Sequence, residues 1–221
     1  MTITISAGMC DEWFVYGYPP IFPPKSRDYD QVIPGKHGEY AFDSDYESRQ
    51  FTLRLVSPRT TDKETYRHAL FAMFPLVTTD LVFETLHHYV ILDGDINFQE
   101  YAYNLDASIP LRMCDPFAYS AEISASTPGT VANVGGIETF PVFEITGAIT
   151  DPSVTLGTDV LAWTGTVSAG ETLVINCDKK TVKKGTANCL KDYTGGFPSC
   201  PIGNTSFAGT NATVKWRNRY I

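Results

Sequence analysis

Five cysteines, four histidines and a scatter of acids are the side chains of this sequence whose types could do chemistry. Cys177, Cys189 and Cys200 follow one another closely enough to suggest soft metal ligands. Structural zinc takes four ligands, usually in two close pairs, and no two cysteines here stand at C-x-x-C spacing. His37, His68, His87 and His88 all lie in the other half of the chain, so no fourth ligand is near. His87-His88 falls in a β-rich run, and adjacent strand side chains point to opposite faces, so the pair cannot chelate one ion. Asp93-Gly94-Asp95 has the look of a calcium loop, but Glu100 arrives too early to be its closing bidentate ligand. The tripeptide reads instead as a hairpin turn. A nucleophile elbow G-x-S-x-G, a phosphate loop and a GxGxxG are absent. Paired carboxylates for glycoside hydrolysis can come from anywhere in a fold, and nothing focuses such a pair. Trp163 is the aromatic a sugar site would use, and as readily a core tryptophan. The expectation is no enzyme, no metal and no cofactor.

Composition narrows the classes further. The chain has 221 residues, net charge −8, 43% hydrophobic, 13% aromatic and 19% charged residues. That length can bury a core without disulfide staples. Low charge with many aromatics suits β-structure, and suits a surface that partners cover. An acidic chain without a basic run is a poor nucleic-acid binder, because phosphate affinity rests on Lys and Arg. Lys179-Lys180 and Lys183-Lys184 form the densest basic group and read as a solvated hairpin turn. No stretch approaches the roughly 18 apolar residues a membrane helix needs. The start, Met1-Thr-Ile-Thr-Ile, carries no secretory pattern, which predicts folding in a cytosol and cysteines kept as buried thiols. The sequons at Asn204 and Asn211 then have no consequence.

The elements that must position any site are mainly strands. Thr2-Ile-Thr-Ile-Ser and Trp13-Phe-Val-Tyr16 are β-rich, and the prolines between Pro19 and Pro24 break regular structure into a stiff loop. Residues 50–56 alternate as a half-buried strand. One helix is predicted over 62–75: Thr61-Asp-Lys-Glu64 has capping-box spacing, with Thr61 as cap. Tyr66, Ala69, Leu70, Met73 and Val77 form its apolar face, and Pro75 ends it. Short β-runs follow (81–83, 88–92, 97–105, 108–114), with Asp93-Gly94 as a hairpin. From residue 130 onward, strands alternate with Gly, Asn, Asp and Pro turns every eight to twelve residues, the pattern of a β-sandwich. The small polar run Ser124-Ala-Ser-Thr-Pro-Gly129 marks the boundary, giving domains 1–124 and 125–221.

Several short motifs occur in an order that resembles one family. They are the turn Pro34-Gly-Lys-His-Gly38, the strand Arg49-Gln-Phe-Thr-Leu53 and the corner Cys114-Asp-Pro-Phe-Ala-Tyr119. Val131-Ala-Asn-Val-Gly-Gly136, Phe140-Pro-Val-Phe-Glu-Ile-Thr-Gly147 and Gly170-Glu-Thr-Leu-Val-Ile-Asn176 follow. The turn Gly203-Asn204 and the ending Trp216-Arg-Asn-Arg-Tyr220 complete the series. Together they resemble the siphophage distal tail proteins. The chain departs from that pattern at Lys36-His37, where the family more often has an Arg-Asp pair, and it lacks an insertion long enough for an added carbohydrate-binding module.

The resemblance implies a mainly β protein of two sandwich-like domains. The first is a belt with one helix, and the second is galectin-like. It implies a structural role, in a phage, prophage or tailocin tail, as a homo-hexameric ring that can stack into a dodecamer in isolation. The implied partners are the tail tube protein, the tail hub or tail-associated protein and a receptor-binding protein. Nucleic acid and membrane insertion have no part in it. The implied location is the virion tail tip, after synthesis in the host bacterial cytoplasm. Trp13, Phe14, Tyr16 and Tyr18 are the candidate ring-interface residues, because aromatics dominate well-packed contacts. A carbohydrate-binding module is the alternative.

Overall fold

A computed structural model describes residues 3–5, 13–16, 23–27, 31–32, 39–40, 45–75 and 77–221. Cys10, Tyr18, the turn at 34–38 and most of the proline-rich loop lie outside these residues. The chain divides into two compact units, 1–118 with Ile221, and 119–220. The sequence texture puts the change at 124/125.

The first unit is built on one antiparallel sheet. Its order is Ile3–Ile5, Thr79–Phe83, Leu86–Leu92, Leu105–Met113, Arg49–Val56 and Phe14–Val15. Alternation is strict in the two central strands. Leu53 and Leu55 face inward from one, and Leu105, Ala107, Ile109, Leu111 and Met113 from the other. The helix Lys63–Met73 packs Leu70 and Met73 into the same core. It forms because Asp62 caps it: the carboxylate accepts from the Thr65 amide at 3.3 Å and from the Thr65 hydroxyl at 2.7 Å. The cap is therefore one residue later than the sequence spacing suggests. Glu64 does not reach back but pairs with Arg67, which also meets Glu100. The inward stripe is Tyr66, Leu70, Met73 and Phe74, while Ala69 and Val77 are exposed.

The Asp93-Gly94 hairpin is not found. Leu92 pairs with Leu111, and Asn97 pairs with Ser108. The strands Leu86–Leu92 and Asn97–Glu100 thus lie end to end along one partner, with residues 93–96 bulging between them. Gly94, at φ +136°, supplies a conformation that side chains avoid. The hairpins are elsewhere, at Glu84-Thr85 between Phe83 and Leu86, and at 101–104 between Glu100 and Leu105.

The second unit is a sandwich. Six strands in one sheet and five in the other enclose a single core. Phe143, Ile145, Leu173, Ile175 and Val214 come from the first sheet. Val131, Val154, Leu161 and Phe207 come from the second. One end of the sandwich is tied by a buried amide. Asn133 Nδ2 donates to Ile137 O at 2.8 Å and Cys200 O at 3.1 Å, and its Oδ1 accepts from the Gly135 amide at 3.0 Å. The carboxy-terminal strand locks onto the same segment. Trp216 Nε1 donates to Ala132 O at 3.3 Å, the Val134 amide to Asn218 Oδ1 at 3.3 Å, and the Gly136 amide to Arg219 O at 2.8 Å. A side chain at Gly135 would collide with the Arg219 carbonyl, so the two segments can approach only through glycine.

Removing that amide leaves the Ile137 carbonyl and the Gly135 amide without this partner, while Cys200 O keeps the Thr139 amide at 2.9 Å. Asn133→Ala is expected to lower unfolding free energy by on the order of 3 kcal/mol. Denaturant titration followed by tryptophan fluorescence reads it, and a change under about 0.5 kcal/mol would show that the amide does not tie the loops.

Candidate functional site

The edge strand Phe14–Val15 carries the aromatic run. It pairs Phe14 with Val56 and Val15 with Leu55, and the Tyr16 amide extends the pairing to Arg54 O at 3.0 Å. Period-two alternation then splits the run. Trp13 is 6% exposed and sits edge-on to Tyr66 of the helix at 5.7 Å, and Val15 packs against the same core. Phe14 and Tyr16 face outward, 66% and 72% exposed. Trp13, one of the four candidate ring-interface residues, is thus packed into the core of this chain. Phe14 and Tyr16 remain on the outer face, and Tyr18 lies outside the described residues.

The outer face gathers more than the sequence singled out. Phe14, Val15, Tyr16, Val56, Tyr101, Asn104 and Asp106 line one shallow recess. Tyr101 is half-exposed and comes from the 101–104 turn, closed by the Tyr101 amide on Asn104 O at 2.9 Å. Beside it Tyr103 is also exposed, with the Arg59 guanidinium stacked 4.1 Å from its ring. The tyrosines escaped notice because residues 97–105 read as one strand. The missed signal is Tyr101-Ala-Tyr103 itself, two large aromatics in a segment too short to bury them. Arg54 and Asp106 supply one charge of each sign nearby. Aromatics with sparse charge on an edge strand are the composition of an interface core. Among its described lining residues the recess holds one carboxylate, Asp106, beside exposed aromatics.

The remaining candidates resolve as structure. His87 and His88 point to opposite faces: His87 Nδ1 lies 2.8 Å from Asp80 Oδ2, while His88 is buried. Cys177, Cys189 and Cys200 lie within the sandwich core. Burial pushes the Cys177 thiol up to about 12 and the Cys200 thiol up to about 11. Among the described residues no group of three or more His, Cys, Asp or Glu could hold a metal ion. Lys179 and Lys180 sit in a hairpin turn, and Lys184 pairs with Glu171 at 3.2 Å. Trp163, the aromatic for a sugar site, is 5% exposed and belongs to the core. No helix among the described residues is long and apolar enough to cross a membrane.

No protein-family model and no curated protein matches the sequence. Solved structures do. Across 100% of both chains, the fold is similar to the SPP1 Dit (gp 19.1) protein, described as a paradigm of hub adsorption apparatus in Gram-positive infecting phages. The TM-score is 0.75 at 12% identity. The phage P2 baseplate in its activated conformation with Ca gives TM-score 0.55 at 10% identity, over 94% of this chain and 90% of the other. The same baseplate with Sr gives 0.55 at 10% identity, over 98% and 97%. The chain is therefore Dit-like in fold, mainly β with one α-helix among the described residues.

Among the described residues of the first unit two bases are buried, one of them neutral. His88 packs edge-on to Phe83 at 5.1 Å, and burial, reinforced by the Arg49 charge, lowers its pKa to about 4. The unfolded chain takes up a proton near pH 6.5 that the folded chain refuses until about pH 4. Stability therefore falls as pH drops through that window, by on the order of 3 kcal/mol in total. His88→Gln is expected to flatten this acid limb in urea titrations at stepped pH. An identical limb would assign the acid sensitivity to other groups.

Proposed function

We propose that the chain is a structural subunit of a siphophage-type tail, from a phage, prophage or tailocin. In this reading it forms a hexameric ring that joins the tail tube to the hub and receptor-binding machinery at the tip. The observation that carries it is the full-length likeness to a tail hub protein, both chains covered end to end. The motif order in the sequence supports it, and so does a first unit whose sheet edge leaves Phe14 and Tyr16 exposed among the described residues. Its partners are then other copies of itself, the tail tube protein and the tail hub protein, and its place is the virion tail after synthesis in the bacterial host. The domain assignment goes with this reading: residues 1–124 form the belt domain that closes the ring, and residues 125–221 form the galectin-like sandwich. The role is structural and requires no catalysis.

Phe14 and Tyr16 are the proposed ring contact, with Tyr101 beside them. A head-to-tail interface repeats one edge against one complementary face, and it closes when the rotation per copy fits. Covering each exposed ring contributes on the order of 3 kcal/mol at about 25 cal/mol per Å², before the cost of association is subtracted.

Light scattering across a concentration series tests the reading. The expected mass is six subunits, or twelve from stacked rings. Phe14→Ala with Tyr16→Ala should raise the assembly midpoint roughly tenfold or more, with the thermal transition of the monomer unchanged. A double variant that assembles like the parent would move the contact elsewhere, and a parent that stays monomeric at every concentration would remove self-assembly from the proposal.

A further inference from the structure

Arg49 opens the core-facing row of the strand Arg49–Val56, followed by Phe51, Leu53 and Leu55. It is 8% exposed, and its Nε and Nη2 are buried without a hydrogen bond. Among the described residues no carboxylate lies within ion-pair distance of it. A buried guanidinium in this state is unusual, because desolvating a charge costs several kcal/mol that a partner ordinarily offsets. His88, which feels the Arg49 charge, is neutral at ordinary pH and offers no counter-charge.

Arg49 also lines a recess of ≈ 300 Å³, shared with Pro23, Pro24, Lys25, Glu47 and Phe51. Lys25 is exposed and adds a second cation at the rim. Glu47 is the one acid of the lining. The recess thus sets one buried unpaired cation and one exposed cation beside Pro23, Pro24 and Phe51, with Ser48 and Gln50 as further polar lining. Such a combination favours a small anion with a planar, two-oxygen head, since the guanidinium fork matches a carboxylate.

We propose that this recess is a carboxylate-binding site, filled in the assembled state by an acidic side chain from a second copy of the chain. The source of the carboxylate rests on the ring reading above; the site itself does not. The chain supplies acids in excess, 25 against 17 basic residues. Packing such copies side by side sets like charges against each other unless cations of this kind receive some of them.

The test uses the intact chain and sodium succinate, against sodium chloride at matched ionic strength. Succinate is expected to raise the melting temperature of the parent by about 3 °C beyond chloride. Lys25→Glu, a surface change that leaves the core alone, and Arg49→Met should each abolish that difference. Arg49→Met should also melt no lower than the parent in carboxylate-free buffer, because it removes an uncompensated charge. No succinate effect in the parent, or an equal effect in both variants, overturns the site. Light scattering separates the source: an assembly midpoint raised several-fold in Lys25→Glu assigns the carboxylate to the neighbouring copy. Unchanged assembly with the succinate response lost overturns that assignment. A parent that never assembles tells against the ring, while the succinate arm still decides the site.

Discussion

Alternation along the strand Leu105–Met113 places every second side chain in the core, and its neighbour Arg49–Val56 follows the same rule in register. A strand that hides one face must show the other. The edge strand inherits this constraint through its pairing with Val56 and Leu55. Trp13 is drawn inward against Tyr66, and because it is, Phe14 and Tyr16 are held outward. The exposed aromatics are thus fixed by the core behind them. The same row explains Arg49, which occupies a core-facing position at the end of a run whose other members are apolar. Both the proposed contact and the proposed carboxylate site follow from one sheet having only two faces.

The second unit depends on a different knot. The segment 131–136 and the ending 216–220 are far apart in sequence, and each alone is a weak signal. In the fold they form one hydrogen-bonded junction: Trp216 on Ala132, Asn218 on Val134 and Arg219 on Gly136. Asn133 fastens the same place to the loop at 200–201. Residues tied together in this way cannot vary independently. Their order along the chain was therefore informative while their individual identities were not. This also gives a physical reason why a fold can persist at 12% identity. A sandwich core accepts many apolar combinations, whereas a buried amide and a glycine at a backbone contact accept few.

How much was legible follows from how local each cause is. The long alternating strand, the single helix and the strand-rich second half rest on periodicity, and they were readable. The helix cap shifted by one because Thr61 and Asp62 both satisfy the spacing, and the carboxylate is the acceptor that is used. Ala69 and Val77 were placed on the apolar face by spacing alone, yet the sheet meets a narrower stripe. The hairpin at Glu84-Thr85 carries no turn residue, although Glu84 takes φ 56°, so nothing local announced it. Conversely, Asp93-Gly94 is a strong turn signal that serves a bulge, because the chain continues along the same partner strand. Only pairing in three dimensions separates those cases. Trp13 differs from Phe14 for a reason absent from the run itself: it has a helix to pack against.

Arg49 and His88 show how one buried environment treats two bases. Desolvation acts on both in the same direction, and the histidine responds by giving up its proton, since its ordinary pKa lies close to neutrality. Arginine cannot follow, because its ordinary value is far above any working pH. Burial does lower the Arg49 pKa, but from so high a start that the charge stays. The unit therefore keeps one cation it cannot discharge, and among the described residues no carboxylate forms an ion pair with it. A methionine of similar length would serve the core better in an isolated chain, by the general finding that apolar replacements of buried charges are neutral or stabilising. An arginine that makes the isolated subunit less stable than it need be is accounted for when its counter-charge arrives from outside the subunit. On that argument, the stability of the free chain and that of the assembled one respond to this position with opposite sign.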